Sequence, residues 1–132
     1  ISKTLERGNM SEQTKPKALP YSPIRKVGEL LFTAGQVGRD PETLIIENGI
    51  EAQTKKCMEN LDFHLKNNGS SLAKVVKFVV YLTDMSNYAA MNEIYASYLN
   101  EPYPARTCIA VKELPRLGDI DLVVEIEAIA TI

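Results

Sequence analysis

From Ile50 to Lys66 the apolar positions recur at helical spacing, with Cys57, Met58, Leu61, His64 and Leu65 on one stripe. Asn67, Asn68 and Gly69 follow as a stop, so the spacing predicts a helix over 50–66. On either side the pattern shortens to the two-residue period of strands. Upstream, "IRKV" and "ELLFTAG" flank Val27 and Gly28, which predicts a hairpin with a tight turn. The segment "GRDPETLIIENG" is rich in turn formers and reads as a loop with a short extended piece at Leu44–Ile46. Downstream, "LAKVVKFVVYLTD" reads as a long strand with Val76, Phe78, Val80 and Leu82 on one face. Val75, Lys77, Val79 and Tyr81 form its other face. Asp84 or Ser86 would then cap a second helix, "NYAAMNEIYASYLN", with Ala89, Met91, Ile94, Tyr95 and Tyr98 near one side. Two more strands, "RTCIAVKEL" and "IDLVVEIEAIATI", surround the turn "PRLGD".

This order of elements predicts an α+β domain with both helices on one face of a mixed sheet. No internal repeat or low-complexity linker divides the chain, so a single domain is expected over 19–132, preceded by a flexible polar tail over 1–18. The central strand is apolar on both faces. A sheet covered by its own helices on one side only has no use for that, so a second subunit is expected on the other.

Composition adds mostly exclusions. A length of 132 residues suits one domain, and 45% hydrophobic with 24% charged residues is ordinary for a soluble globular protein. The net charge of -2 gives no pull toward nucleic acid or an anionic membrane. No apolar run approaches the roughly 18–20 residues that span a bilayer. The first eighteen residues contain no apolar stretch of the signal-peptide kind, so a cytoplasmic protein is expected; mitochondrial targeting stays open but has no support in the sequence. The chain opens on Ile1, and Met10 is a candidate native start. Cys57 and Cys108 fall in different predicted elements and are expected as reduced thiols.

The chemistry to explain lies near the C-terminus. Arg106 sits between prolines and a β-branched run, where an always-charged guanidinium needs partners. In the last strand Glu125 and Glu127 share one face with Val123 and Ile129. Burying an unpaired carboxylate costs several kcal/mol or forces it neutral. Two readings stand: the glutamates reach solvent at a sheet edge or pair with a lysine such as Lys77, or one of them meets Arg106 across the strand pairing or a subunit boundary. In the second reading arginine forks a substrate carboxylate and glutamate orients or deprotonates a water. His64, the single histidine, is expected as a satisfied core or boundary residue. No Cys/His/Asp spacing points to zinc or iron, and no phosphate-binding glycine loop occurs, although amides of "TAGQVG" could meet an oxyanion. Cys108 has no histidine near it in sequence and reads as a strand cysteine. Tyr88, Tyr95 and Tyr98 read as helix packing, whereas Tyr21, between prolines, is placed to line a pocket.

Three segments carry a resemblance: "YPARTCIAVKELPRLGDIDLVVEIEAIA", "LLFTAGQVGRDPET" and "VVKFVVYLTDMSNYAAMNEIYASYL". Together they resemble the RidA/YjgF family, also called endoribonuclease L-PSP, from about Tyr21 to the end of the chain. The resemblance implies a chorismate-mutase-like fold, a homotrimer and ligand clefts between subunits. It implies hydrolysis of 2-imino or enamino acids such as 2-iminopropanoate and 2-iminobutanoate to 2-keto acids and ammonia, downstream of pyridoxal-phosphate-dependent dehydratases and without a cofactor. By position, Arg106 would bind the substrate carboxylate and Glu125 would position water. Cys108 would contribute its backbone and Gly35 its amide, while Tyr21 and Asn92 would line the pocket. Leu19 and Pro23 stand where the family has glycine and glutamine, Ala34 where many members have serine, and "LNEPYPAR" is shorter than usual. The alternatives are an endoribonuclease that inhibits translation, poorly served by the slightly negative charge and single histidine, and a non-catalytic carboxylate-binding sensor trimer.

Overall fold

The computed structural model describes residues 19–132; the tail expected over 1–18 lies outside the described residues. The predicted hairpin forms from β1 (Ile24–Val27) and β2 (Leu30–Thr33), antiparallel, with Val27 opposite Leu30. Only two residues turn the chain, and Gly28 takes a φ of 59°, where a side chain would be strained. "TAGQVG" then yields a short strand, β3 (Gln36–Val37), which the pattern did not announce. The extended piece expected at Leu44–Ile46 shrinks to a single bridge between Arg39 and Ile46.

Helix α1 (Ile50–Lys66) has the predicted bounds and buries Cys57, Met58, Leu61 and Leu65. Asn67 ends it, and Gly69 leaves at a φ of 82°. His64, expected on the buried stripe, is only half-buried and packs edge-on to Phe63 at 5.5 Å. The next strand, β4 (Val75–Leu82), begins later than the pattern implied because Leu72–Lys74 form a 3-10 turn. Asp84 accepts from the Ser86 amide at 2.9 Å and caps the turn Met85–Asn87, which leads into α2 (Tyr88–Ala96). That helix stops at Ala96, short of its predicted length, and Ala89 is exposed rather than on the packed side. The last strands are β5 (Ala105–Ala110) and β6 (Val124–Thr131).

The strand order is β1-β2-β6-β4-β5, with β3 also pairing β6, and only β4 and β5 run parallel. The sheet is mixed, as predicted, and β6 lies inside it. Both helices pack on one face, where Leu31, Phe78, Val80, Leu82, Val124 and Ile126 meet Met58, Leu61, Met91 and Tyr95. Phe78 meets the Tyr95 ring edge-on at 5.2 Å.

One face assignment is reversed. A bulge between Val75 and Lys77 buries Val75 and turns Val76 outward, 46% exposed. Beyond the bulge Phe78, Val80 and Leu82 face the helices as predicted. The opposite face is left uncovered by the helices and is mixed: Phe32, 39% exposed, and Ile109, 43% exposed, share it with Lys77, Tyr81, Glu125 and Glu127.

Candidate functional site

Arg106 lies in β5 beside Phe78 of β4, and in parallel pairing both side chains point toward the helices. There α2 receives the guanidinium. Nη1 donates to Asn92 Oδ1 at 2.6 Å and Nη2 donates to the Tyr88 hydroxyl at 2.9 Å. Its carbon stands 5.4 Å from the centre of the Tyr88 ring and 4.8 Å from that of Tyr95. Tyr88, Asn92 and Tyr95 are spaced i, i+4, i+7 and so share one side of α2. Among the described residues Arg106 pairs with no carboxylate. A guanidinium has five N–H donors. Asn92 and Tyr88 take two, which leaves enough for a bidentate carboxylate. A cleft of about 320 Å³ opens beside it, lined by Asn92, Tyr95, Ala96, Tyr103, Pro104 and Arg106.

Glu125 belongs to the other side of the sheet. It pairs with Tyr81 in β4 and Val37 in β3, and its neighbours Val124 and Ile126 take the core face. Burial raises its pKa above the ordinary glutamate value, and the like charge of Glu127 raises it further. Glu127 is satisfied locally: it accepts from the Tyr81 hydroxyl at 2.8 Å, which with burial pushes that phenol up to about 12. The sheet-edge reading of the two glutamates fails because β6 is interior, and no Lys77 ion pair forms among the described residues. Gly35 lies directly against the Glu125 carboxyl, and a Cβ at that position would collide with Glu125 Oε2. A cleft of about 580 Å³ runs past Tyr21, Gly35, Arg39, Asn60, His64 and Glu125.

The chain therefore gathers its candidate residues into two groups, Tyr21 with Gly35 and Glu125, and Asn92 with Arg106. Arg106 and Glu125 do not meet across the strand pairing. β4 separates their strands and their side chains leave opposite faces. Cys108 follows Arg106 along β5 and lines neither cleft; burial raises its thiol pKa, and Arg106 offsets this only in part. It is a thiol, not a thiolate nucleophile, at neutral pH. Sequence reasoning passed over Tyr88, whose i, i+4, i+7 relation to Asn92 and Tyr95 was the available signal. It also left His64 out of the Glu125 cleft, where the ring sits with its pKa lowered by burial. Among the described residues no three His, Cys, Asp or Glu side chains gather as a metal ion requires.

Fold and site define a class: a small α+β protein that holds a fixed guanidinium on one sheet face and a part-buried carboxylate on the other. The family model for endoribonuclease L-PSP matches residues 12–132, and the chain belongs to that family, the RidA/YjgF proteins. A RutC family protein of Pyrococcus abyssi is 45% identical over 117 residues, 87% of this chain and 89% of its own. The chloroplastic Reactive Intermediate Deaminase A of Arabidopsis thaliana is 37% identical over 93% of this chain and 65% of its own. The crystal structure of RidA from an Antarctic Psychrobacter species superposes with a TM-score of 0.81 at 40% identity, covering 93% of this chain and 97% of that one. No helix among the described residues is long and apolar enough to cross a membrane.

Proposed function

We propose that this protein hydrolyses reactive 2-imino and enamino acids, of the size of 2-iminopropanoate and 2-iminobutanoate, to 2-keto acids and ammonia. The observation that carries the reading is Arg106: Asn92 and Tyr88 each fix one donor, Met91 Sδ lies 4.0 Å from Nη1, and among the described residues no carboxylate answers its charge. A small carboxylic acid is the partner such a fork fits. The deaminase name of the Arabidopsis relative supplies the reaction class. Glu125 supplies the second group, a carboxyl with a raised pKa in an open cleft.

Because one chain keeps these groups on opposite sheet faces, the working site lies between copies, in a chorismate-mutase-like homotrimer that closes the open sheet face. Arg106 of one copy holds the substrate carboxylate, and Glu125 of the next takes a proton from water as its oxygen adds to the protonated imine carbon. The C=N electron pair passes to nitrogen; Glu125 returns its proton to that amine, the C–N bond breaks as the hydroxyl oxygen forms the keto C=O, and the departing ammonia carries off the hydroxyl proton. An iminium carbon is electrophilic enough that placing the water is the main task. Gly35 and Cys108 contribute backbone amides, Tyr21 walls the pocket, and Asn92 acts on the substrate through Arg106. Dehydratases that use pyridoxal phosphate release such imines, so the reaction follows theirs, in the cytoplasm.

The test couples a threonine dehydratase to keto-acid detection with and without the protein. Acceleration that Glu125→Gln loses, with keto-acid binding kept, supports hydrolysis over a mere carboxylate receptor. No acceleration by a folded oligomer, across several imino acids, removes the reading.

One observation favours a second reading, ribonuclease chemistry: His64, its pKa lowered by burial, shares a cleft with Glu125 and Arg39. Salt-sensitive RNA cleavage abolished by His64→Ala and unaffected by Arg106→Ala would establish it.

A further inference from the structure

Tyr88 reads from the sequence as a packing tyrosine, yet its ring is 41% exposed and takes no part in the hydrophobic core. What it does touch is Arg106. Its hydroxyl accepts from Nη2 at 2.9 Å while its ring stands 5.4 Å from the guanidinium carbon. Asn92 holds the other terminal nitrogen at 2.6 Å, and the Tyr95 ring closes the arrangement at 4.8 Å.

We propose that Tyr88 is a positioning residue for carboxylate recognition: with Asn92 it fixes both terminal nitrogens of Arg106, so that the fork is oriented before the ligand arrives. This inference rests on the proposed carboxylate role of Arg106. With Nη1 alone held, the guanidinium keeps a freedom of rotation that ligand binding must remove, and that cost appears as lost affinity. With both nitrogens held, the plane of the guanidinium is fixed, and the remaining donors are fixed with it. A phenylalanine at this position keeps the ring and the cation–π contact and loses only the acceptor. Tyr88 does not reach the water or the imine nitrogen in this scheme, so the effect belongs to binding and not to the chemical step.

The variant to make is Tyr88→Phe, read in two ways. In the coupled deaminase assay KM rises about tenfold with kcat unchanged, the size expected when a charge-assisted hydrogen bond is removed. By calorimetry 2-oxobutanoate, the product keto acid, binds about tenfold more weakly, and this measurement is independent of turnover. The unfolding midpoint stays at the wild-type value, which separates positioning from a structural role. Tyr88→Leu, which also removes the ring, weakens 2-oxobutanoate further. Wild-type KM and keto-acid affinity in Tyr88→Phe would overturn the inference while leaving the deaminase reading intact. A fall in kcat with unchanged KM would overturn it too, by placing Tyr88 in the chemical step. Wild-type protein that binds 2-oxobutanoate but hydrolyses no imine would remove the deaminase reading only, and the binding arm would still decide Tyr88. Wild-type protein that neither binds nor hydrolyses would remove both.

Discussion

Glu125 is held in a place that favours its protonated form, and Glu127 adds to that preference from two residues along the same strand face. The consequence for activity has a definite sign. A carboxyl with a raised pKa keeps its proton to a higher pH, so the base form that the proposed mechanism needs is lost as pH falls through a value above the ordinary 4.5. The acid limb of kcat for imine hydrolysis is expected above that value. Glu127→Gln removes the like charge and moves the limb down, and pH–rate profiles of the two proteins measure the shift. An acid limb unmoved by Glu127→Gln would mean that burial alone sets the pKa. Stability runs the other way. A carboxyl whose folded-state pKa is raised favours the folded state most below its unfolded pKa and loses that contribution as pH rises through the folded pKa. At neutral pH, therefore, Glu125→Gln unfolds at a higher temperature than the wild type even as it loses activity. The collision of any Gly35 side chain with the same carboxyl shows how closely the backbone is fitted to it.

At the scale of elements, a buried glutamine ties α1 to the start of the last strand. Gln53 Nε2 donates to the carbonyls of Glu47 at 3.0 Å and Asp121 at 2.9 Å, and its Oε1 accepts from the Val123 amide at 2.8 Å. Those loops frame the Glu125 cleft through Pro115 and Leu117 on one side and Arg39 on the other. Gln53→Ala leaves three backbone groups without partners and is expected to cost about 2–4 kcal/mol, seen as a lower urea midpoint with an unchanged m-value. The sequence made α1 legible because a continuous apolar stripe ends at a glycine that takes a positive φ. It could not mark the bulge in β4, because the residue turned in and the residue turned out, Val75 and Val76, are the same amino acid. Period and propensity say where a strand is, and they are blind to an extra residue between two valines. Nor could they say that Arg106 and Glu125 leave opposite faces, since that follows from β6 pairing with β2 and β4 across the whole chain. Tyr88 was hidden for another reason: its spacing was readable, but an aromatic at helical spacing looks the same whether it meets the core or an arginine.

For the whole molecule, the uncovered sheet face and the divided site point to one arrangement. Phe32, Val76 and Ile109 are exposed side chains on a face that the two helices leave open, apolar area that the proposed trimer would cover. The same arrangement explains how Arg106 and Glu125, kept apart on one chain, could act together. Sedimentation is expected to give a trimer, and Ile109→Asp to give inactive monomers. A sharper measurement uses two inactive variants. In Arg106→Ala every copy keeps its glutamate, and in Glu125→Gln every copy keeps its arginine. If each site takes its arginine from one copy and its glutamate from the next, random mixed trimers contain some intact sites. With equal amounts of the two variants, the arginine is intact in half of the sites and the glutamate independently in half, so activity should recover to about one quarter of wild type. Subunits must exchange first, so the variants are mixed under mild denaturation and refolded, with each variant alone treated in parallel. If both groups came from a single chain, every site in the mixture would lack one of them and no activity would return. Recovery near a quarter would place the site between copies, and none after demonstrated exchange would place it within one.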